Sequence, residues 1–339
     1  MTSSIEDANS EMTLTVLGCG TMGIAILSGI LSSLQTPIST STTFPPTTSE
    51  TSTPANPINS PSKLPSKFIA CVRRPESAKK VKEALFPYLK SPTSTLSILQ
   101  NSNVLAVQQA SIILLACKPY MVQEILSEPG MGQALAGKLL ISICAGVTIE
   151  QLYSELFNEQ TKGLTDLASA ANPCTIVRAM PNTASQIRES MTVISTSTPP
   201  LEPYITSLLT WIFTRIGEVV FLPPSTMDAC TALCGSGPAF FALMLEATID
   251  GAVAMGLPRA EAQKMAAQTM RGAAGLVLSG EHPALLRDKV STPGGCTIGG
   301  LLVLEEGRVR GTVARAVREA TVVAGQLGKG VQGVNGTRF

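Results

Sequence analysis

The sequence predicts an α/β domain with a doubly wound parallel sheet, followed by an all-α domain. Up to residue 222, short apolar runs rich in β-branched residues alternate with helical segments, as in sheets covered by helices on both faces. After Pro223 and Pro224, strand patterns nearly vanish and helical segments follow one another. We therefore expect domains at residues 13–222 and 223–327. Flexible ends are expected at residues 1–12 and 328–339.

Composition excludes several classes of protein. The chain has 339 residues, of which 44% are hydrophobic and 14% charged, enough for sizeable cores. Its net charge of +1, without a basic cluster, argues against a nucleic-acid partner. The eight cysteines form no CxxC pair and the one histidine is His282, so no metal site is expected. Buried free thiols in a reducing compartment are the better interpretation of the cysteines.

Targeting signals are also missing from the sequence pattern. The first twelve residues are polar and acidic, without the apolar core of a signal peptide. The most apolar long run, residues 238–257, carries Glu246 and Asp250, which disfavours a membrane span. We expect a cytoplasmic protein without a membrane partner.

A glycine-rich turn gives the first indication of a ligand. An apolar strand at residues 14–17 precedes Gly18-Cys19-Gly20-Thr21-Met22-Gly23, and a helical pattern follows at residues 24–34. This is the context of a Rossmann-type dinucleotide fingerprint. Gly18 allows the tight turn, Gly20 lets the pyrophosphate approach the backbone, and Gly23 lets helix and strand pack closely. The alternative is a glycine-rich turn without a ligand.

Residues 36–67 are mostly Ser, Thr, Pro and Asn, and are predicted to form a disordered surface insert. The second strand follows at residues 68–72. At its end, where an acid usually selects NAD, stand Arg73 and Arg74, which suit a 2′-phosphate. NADPH is therefore the expected cofactor, with NADH as the alternative. Two solvated surface arginines would give the same pattern.

Further strands are predicted at residues 111–117, 139–144, 175–180, 191–195 and 218–222, and helices at residues 75–89 and 201–216. Ligands of such sheets lie at the carboxyl ends of the strands. The residues found there, expected to line the nicotinamide end of the cofactor, are Lys118, Pro119, Ala145, Gly146 and Asn182. Lys118 could equally be a rim lysine, and Pro181-Asn182-Thr183 an ordinary turn.

The all-α domain is predicted to contain helices at residues 226–234, 239–255, 258–278, 284–290, 297–307 and 309–327. The helix at residues 239–255 is apolar almost all round and must be buried on every side. In a domain of about a hundred residues this indicates burial by a second subunit, and so a homodimer. A monomeric bundle with one central helix is the alternative.

Between two of these helices lies Ser291-Thr292-Pro293-Gly294-Gly295-Cys296-Thr297. Gly294 and Gly295 offer backbone N–H groups with no side chain in the way. Thr297 and Cys296 then stand at a helix N-terminus, which favours a carboxylate or phosphate. An ordinary Pro–Gly turn is the alternative.

Several motifs together resemble the Δ1-pyrroline-5-carboxylate reductase family. They are Gly18–Gly23, Cys117-Lys118-Pro119, Ala145-Gly146-Val147-Thr148, Met180-Pro181-Asn182-Thr183, Gly235-Ser236-Gly237-Pro238-Ala239 and Ser291–Ile298. The resemblance implies a Rossmann domain followed by a helical dimerisation domain, with dimers that often assemble into decamers. It also implies the last step of proline biosynthesis, with NADPH or NADH as the cofactor.

The resemblance also implies roles in the loop. Thr297 matches the family's active-site threonine, which hydrogen-bonds the ring nitrogen of the substrate. The substrate carboxylate is placed on Gly294, Gly295 and Cys296 and on neighbouring hydroxyls, those of Ser291 and Thr292. Cys296 departs from the family, where Ala or Thr is usual, and the insert is a second departure.

Two other functions were weighed against this one. A β-hydroxyacid dehydrogenase would need a lysine on an early helix of the second domain, but residues 235–245 contain none and Lys264 lies well beyond. A non-catalytic NADP-binding protein is disfavoured by the intact Gly294–Thr297 loop.

Overall fold

The computed structural model describes residues 11–35, 61–89, 95–156 and 172–328. Within them, the first half of the chain alternates strands and helices. The elements are β1 (Met12–Leu17), α1 (Thr21–Gln35), β2 (Pro65–Val72), α2 (Pro75–Leu85), β3 (Thr95–Gln100), α3 (Asn103–Gln108), β4 (Ile112–Leu115), α4 (Val122–Leu126), α5 (Met131–Leu135), β5 (Leu139–Ser142), α6 (Ile149–Leu156), β6 (Thr175–Met180), β7 (Ser190–Ser195), α7 (Pro203–Thr214) and β8 (Gly217–Leu222).

The eight strands form one sheet in the order β3-β2-β1-β4-β5-β6-β7-β8. All neighbouring pairs are parallel except β6 and β7, which are antiparallel. The first six strands have the order of a dinucleotide-binding fold, whose ligand crevice opens between β1 and β4. The predicted fold class is therefore confirmed.

Alternation along the buried strands divides the core into two layers. On β1, Leu14 and Val16 face the layer that contains α1, α2 and α7, whereas Leu17 faces the layer that contains α3 to α6. β4 divides in the same way, with Ile112 and Leu114 on one side and Ile113 and Leu115 on the other. Both faces of the central strands are apolar because helices cover both faces.

Some predicted boundaries were wrong. Met12, assigned to the flexible N-terminus, is buried and begins β1. Pro65 to Lys67, assigned to the disordered insert, begin β2, because β1 and β3 supply backbone partners for them. Residues 61–64, also assigned to the insert, are described as well: Pro61 is buried, and the Lys63 carbonyl accepts from the Tyr204 hydroxyl at 3.3 Å. Residues 1–10, 36–60 and 329–339, which carry the rest of these predictions, lie outside the described residues. Gly328, assigned to the tail, ends the last helix.

The second half of the described chain is helical. It comprises α8 (Met227–Cys230), a π-helical segment (Thr231–Ser236), α9 (Gly237–Ala254), α10 (Arg259–Leu278), α11 (Pro283–Val290), α12 (Cys296–Glu306) and α13 (Val309–Gly328). One helix was predicted at residues 226–234, but the structure continues from α8 through the π segment into α9. The Thr231 hydroxyl in that segment donates to Met180 Sδ at 3.0 Å, close to the end of β6.

The helices of the second half are largely exposed among the residues that the structure describes. Helices α11, α12 and α13 contain no fully buried residue, and Leu243, Met255 and Val303 are 68%, 86% and 66% exposed. In the described residues, the segment Pro224–Ala254 is long and apolar enough to cross a membrane by length and composition, and it is mostly unburied. Such a surface needs an apolar partner.

Candidate active site

The Gly18 turn is held between three strands. Gly18 has a φ of +70°, and a Cβ on it would lie 2.7 Å from Cys117 Cα at the end of β4. The Cys19 N–H donates to the Cys71 carbonyl at 2.9 Å, which ties the turn to β2. Only glycine fits the Gly18 position, both for its backbone angles and for its space.

The other two glycines of the fingerprint differ in their surroundings. A Cβ on Gly23 would lie 2.9 Å from Val16 Cγ1, so this glycine is required by packing. A Cβ on Gly20 would have no neighbour closer than 3.8 Å. Packing within the described residues therefore does not require a glycine at position 20, and the open space agrees with the prediction of a pyrophosphate at the N-terminus of α1. The first turn of α1 has no acidic residue to oppose it.

Thr21 and Met22 begin α1 beside this turn. Thr21 is exposed, and Met22 Sδ accepts a hydrogen bond of 3.2 Å from the Ser185 hydroxyl, in the segment that follows β6. Hydrogen bonds therefore hold the turn to Cys71 of β2 and the start of α1 to Ser185 after β6.

Two buried thiols lie beneath the crevice. Cys117 Sγ and Cys144 Sγ, at the ends of β4 and β5, are 3.8 Å apart. Their hydrogen bond and burial raise the pKa of Cys117, while the same hydrogen bond lowers the pKa of Cys144. Six of the eight cysteines are buried free thiols, as predicted, and Cys296 is exposed. Through Cys117, whose Cα would lie 2.7 Å from a Cβ on Gly18, this pair of thiols packs against the Gly18 turn.

Arg73 lines a cleft of about 170 Å³ together with Gly18, Asn101 and Glu124, which we call the β2–β3 cleft. Arg73 Nη1 lies 3.7 Å from Glu124 Oε2, and the two side chains are 49% and 64% exposed, so this ion pair is weak. Arg74 is exposed and precedes α2 without capping it. Both arginines remain available to a phosphate at this edge of the sheet.

Asn101 was missed by the sequence analysis. It has a φ of +50° and its N–H donates to the Val72 carbonyl at 3.2 Å, which places it in the β2–β3 cleft. Asn101 follows β3, a strand that the sequence pattern did not predict. An asparagine after a run of alternating apolar residues is the signal that could have found it.

A larger pocket of about 430 Å³ opens at the carboxyl ends of β4 and β5, and we call it the β4–β5 pocket. Pro119, Ala145 and Gly146, which were predicted to line the nicotinamide end of the cofactor, all line this pocket, and their role toward the cofactor stays a prediction. Its volume lies within the usual range for small-molecule sites. Lys118 is exposed and precedes the short 3-10 helix Pro119–Met121, outside the lining of this pocket.

The wall opposite these loops comes from the end of the helical domain. Leu327 and Gly328, at the end of α13, line the β4–β5 pocket together with Gln151 of α6. Sequence analysis did not bring these residues to the site. Their contact with Gly146 joins positions almost two hundred residues apart, which no local pattern indicates.

Asn182 performs the role of a turn residue. Its Oδ1 accepts from the Ala184 N–H at 3.1 Å, and its own N–H donates to the Ser190 hydroxyl at 3.0 Å. The side-chain oxygen of Asn182 caps the 3-10 helix Thr183–Ile187, so its side-chain NH₂ group is the part left to contact a ligand.

The predicted substrate loop forms a tight turn before α12. Gly294 has a φ of +68°, and the Gly295 N–H donates to the Thr292 carbonyl at 3.0 Å. Gly295 is the N-cap residue of α12, and no side chain caps this helix. Its first N–H groups therefore point out of the helix without an intrahelical acceptor. Thr297 is half-buried on the first turn and Cys296 is exposed.

The hydroxyl groups of Ser291 and Thr292 in this loop both have neighbours within the protein. The Ser291 hydroxyl donates to the Arg287 carbonyl at 2.8 Å, and the Thr292 hydroxyl packs against Gly295. His282 Nδ1 accepts from the Ala284 N–H at 3.2 Å and caps α11. Space is open around Gly294, Gly299 and Gly300, where an added Cβ would meet nothing within 4 Å.

Comparison with known proteins identifies the chain. Residues 224–327 match the family model described as pyrroline-5-carboxylate reductase dimerisation. Residues 55–146 match the model described as NADP oxidoreductase, coenzyme F420-dependent. Fold and site thus define an NADP-dependent oxidoreductase with a helical oligomerisation domain.

Two relatives show which family of oxidoreductases the chain belongs to. The chain is 67% identical over 335 residues to a pyrroline-5-carboxylate reductase of Lophium arboricola, covering 97% of this chain and 98% of the relative. It is 61% identical over 343 residues to that of Neurospora crassa, covering 98% of each. The chain belongs to the pyrroline-5-carboxylate reductase family.

A crystal structure of Plasmodium falciparum pyrroline carboxylate reductase with NADP bound is also similar. Its TM-score is 0.66 at 25% identity, covering 94% of this chain and 98% of that one. The family resemblance and the NADP cofactor class are confirmed, and the relatives decide against a β-hydroxyacid dehydrogenase. The roles of individual site residues stay predictions.

Gly20→Ala is expected to weaken NADPH binding by about tenfold or more, the size of one charge-assisted hydrogen bond to a phosphate. Its stability should barely change, because the new methyl group has open space in the protein. Gly23→Ala is the matched control and should lose about 1–3 kcal/mol of stability by overpacking. Fluorescence titration and urea unfolding measure the two effects; equal NADPH affinity in Gly20→Ala and wild type would contradict the phosphate assignment.

The double change Arg73→Ala/Arg74→Ala is expected to lower the ratio of NADPH to NADH efficiency by about tenfold or more, since a 2′-phosphate would lose a charged partner. Steady-state kinetics with each cofactor measure this ratio. Lys80→Ala/Lys82→Ala, which also removes two exposed positive charges, both from α2, controls for the change in net charge. An unchanged ratio in the double variant would show that neither arginine reads the phosphate.

Proposed function

We propose that this chain reduces Δ1-pyrroline-5-carboxylate to L-proline with NADPH, the last step of proline biosynthesis. The observation that carries the proposal is the uncapped N-terminus of α12, which presents Thr297 directly after the Gly294–Gly295 turn. The name shared by the relatives supports the same substrate.

The substrate chemistry suits these groups. The substrate is a cyclic imine that carries a carboxylate, and its protonated form is already electrophilic, so no strong general acid is required. Positioning and electrostatics can then supply most of the catalysis. The absence of a histidine from the loop agrees with this requirement.

The cofactor would be held by the Gly18–Gly23 turn, with its 2′-phosphate near Arg73 and Arg74. The open space at Gly20 and the acid-free first turn of α1 fit a pyrophosphate. When bound, NADPH supplies the hydride that the imine carbon accepts.

The loop residues would bind and orient the substrate. The backbone N–H groups of Cys296 and Thr297, at the start of α12, would bind the substrate carboxylate, which the helix dipole would also stabilise. The Thr297 hydroxyl would hydrogen-bond the ring nitrogen and hold its proton in place during reduction. Gly294 in the left-handed region directs the turn so that no side chain blocks the approach.

The active site would be shared between the two subunits of a homodimer. The loop faces open space in the single chain, and the apolar surface of α9, α10 and α12 lacks cover. Gly251, Gly272 and Gly275 offer places for close helix approach, since an added Cβ there meets nothing within 4 Å. A partner packed on these helices would also cover the apolar Pro224–Ala254 segment. Family members form decamers from such dimers, and we extend this assembly to the chain as a proposal.

We also propose that the protein is cytoplasmic. Six buried free thiols suit a reducing compartment.

The purified full chain is expected to oxidise NADPH when pyrroline-5-carboxylate is added, with proline as the product. Thr297→Ala should lower kcat by up to about a hundredfold, because one transition-state hydrogen bond is lost, and should leave NADPH affinity unchanged. Thr297→Ser retains the hydroxyl and is the matched control. No turnover by the wild type would contradict the function, and a fully active Thr297→Ala would remove this residue from the mechanism.

A shared site makes a further prediction about mixed dimers. Co-expression of a Gly20→Asp chain, disabled in the cofactor turn, with a Thr297→Ala chain should restore activity to about a quarter of the wild type. Half of the dimers are mixed, and each mixed dimer has one intact site if the cofactor turn and loop come from different subunits. Activity no higher than in the separate variants would place the complete site within one subunit.

A further inference from the structure

The last turn of α13 lies directly on the Gly146 turn. A Cβ on Gly328 would lie 3.0 Å from the Gly146 carbonyl oxygen, and a Cβ on Gly146 would lie 3.7 Å from Gly328 Cα. Gly146 itself has a φ of +75°. The helical domain therefore reaches back to the cofactor-binding domain and forms one wall of the β4–β5 pocket.

Gln151 connects the two sides of this contact. Thr148 and Gln151 form a capping box at the start of α6: the Thr148 N–H donates to Gln151 Oε1 at 2.8 Å, and the Gln151 N–H donates to the Thr148 hydroxyl at 3.2 Å. Gln151 Nε2 then donates to the Gly328 carbonyl at 2.8 Å. Because Oε1 is held by the cap, the NH₂ group is oriented toward α13.

This bond satisfies a carbonyl that α13 cannot satisfy itself. The last four carbonyls of a helix have no intrahelical donor. One turn earlier, α13 packs against α8, where a Cβ on Gly325 would lie 3.0 Å from Asp228 Oδ2. Glycines at 146, 325 and 328 bring the backbones close but supply little side-chain packing, so a directional hydrogen bond determines the exact placement of the helix end.

We propose that Gln151 is a positioning residue for the reduction, which fastens the end of α13 to the Gly146 turn and so sets the width of the β4–β5 pocket. The inference rests on the proposed function, since the pocket is taken as the place where the imine meets the nicotinamide. A misplaced wall lowers the fraction of substrate held in reactive geometry. A purely structural Gln151 would cap α6 and do nothing more.

Gln151→Glu separates the two roles. A glutamate still accepts from the Thr148 N–H and suits a helix N-terminus, but it has no N–H to donate to Gly328. We expect kcat/KM for pyrroline-5-carboxylate to fall about three- to tenfold, the size of one hydrogen bond. The Kd for NADPH should stay within about twofold and the Tm close to that of the wild type. Amide hydrogen exchange in the last turn of α13 should become faster.

Thr148→Ala is the matched control. It removes the hydroxyl acceptor of the capping box but leaves the Gln151 carboxamide and its bond to Gly328. We expect a lower Tm, because an N-cap is lost, with kcat/KM and exchange at the end of α13 unchanged.

Equal kcat/KM and equal exchange in Gln151→Glu and the wild type would overturn the proposal. A kinetic loss of the same size in Thr148→Ala would also overturn it, because Gln151 would then act only through the cap. If the wild type itself does not reduce the imine, the proposed function fails. The exchange comparison would still decide whether Gln151 holds α13 in place.

Discussion

The contact between the Gly18 turn and the end of β4 is the constraint on which the cofactor half of the molecule depends. The two backbones approach so closely that Cys117 leaves no room for a Cβ on Gly18. This contact sits where the strand order reverses between β1 and β4, the point at which the crevice of such a sheet opens. The thiols of Cys117 and Cys144 fill the space below it, and Gly23 allows α1 to pack against β1. Gly20, free of such contacts, is left facing the crevice.

The helical half of the molecule depends instead on burial of its apolar surface by a partner. Its helices are apolar but have few packing partners among the described residues, which also leave open space around the loop that carries Thr297. A chain of this composition gains most of its remaining apolar burial from a second copy. Assembly and formation of the active site would then be one event, because the same contact that covers the helices brings a loop to a cofactor domain.

Helix α13 connects these two halves. It leaves the exposed end of the helical domain, packs along α8 and the π-helical segment, and ends on the Gly146 turn. One end of the chain thereby closes a pocket built by the carboxyl ends of β4 and β5. The Gln151 hydrogen bond and the close approach of Gly328 to Gly146 thus join the end of the helical domain to the sheet domain, in addition to the apolar contacts of Met227 and Cys230 with Met180 and Val193.

The amino-acid order was enough to predict the fold class, the Gly18–Gly23 turn, the Gly294–Thr297 turn and most helices, because each depends on local backbone geometry and on the period of apolar residues. It did not show β3, whose residues alternate weakly at the sheet edge and become a strand only through pairing with β2. It also extended the insert over Pro65 to Lys67, where backbone partners from two other strands outweigh polar composition. Only the tertiary structure placed Asn101 in the β2–β3 cleft and Gly328 on Gly146, since these contacts join segments distant in the chain. The residues around Asn101 and Gly328 form no local sequence pattern that would predict such a distant neighbour.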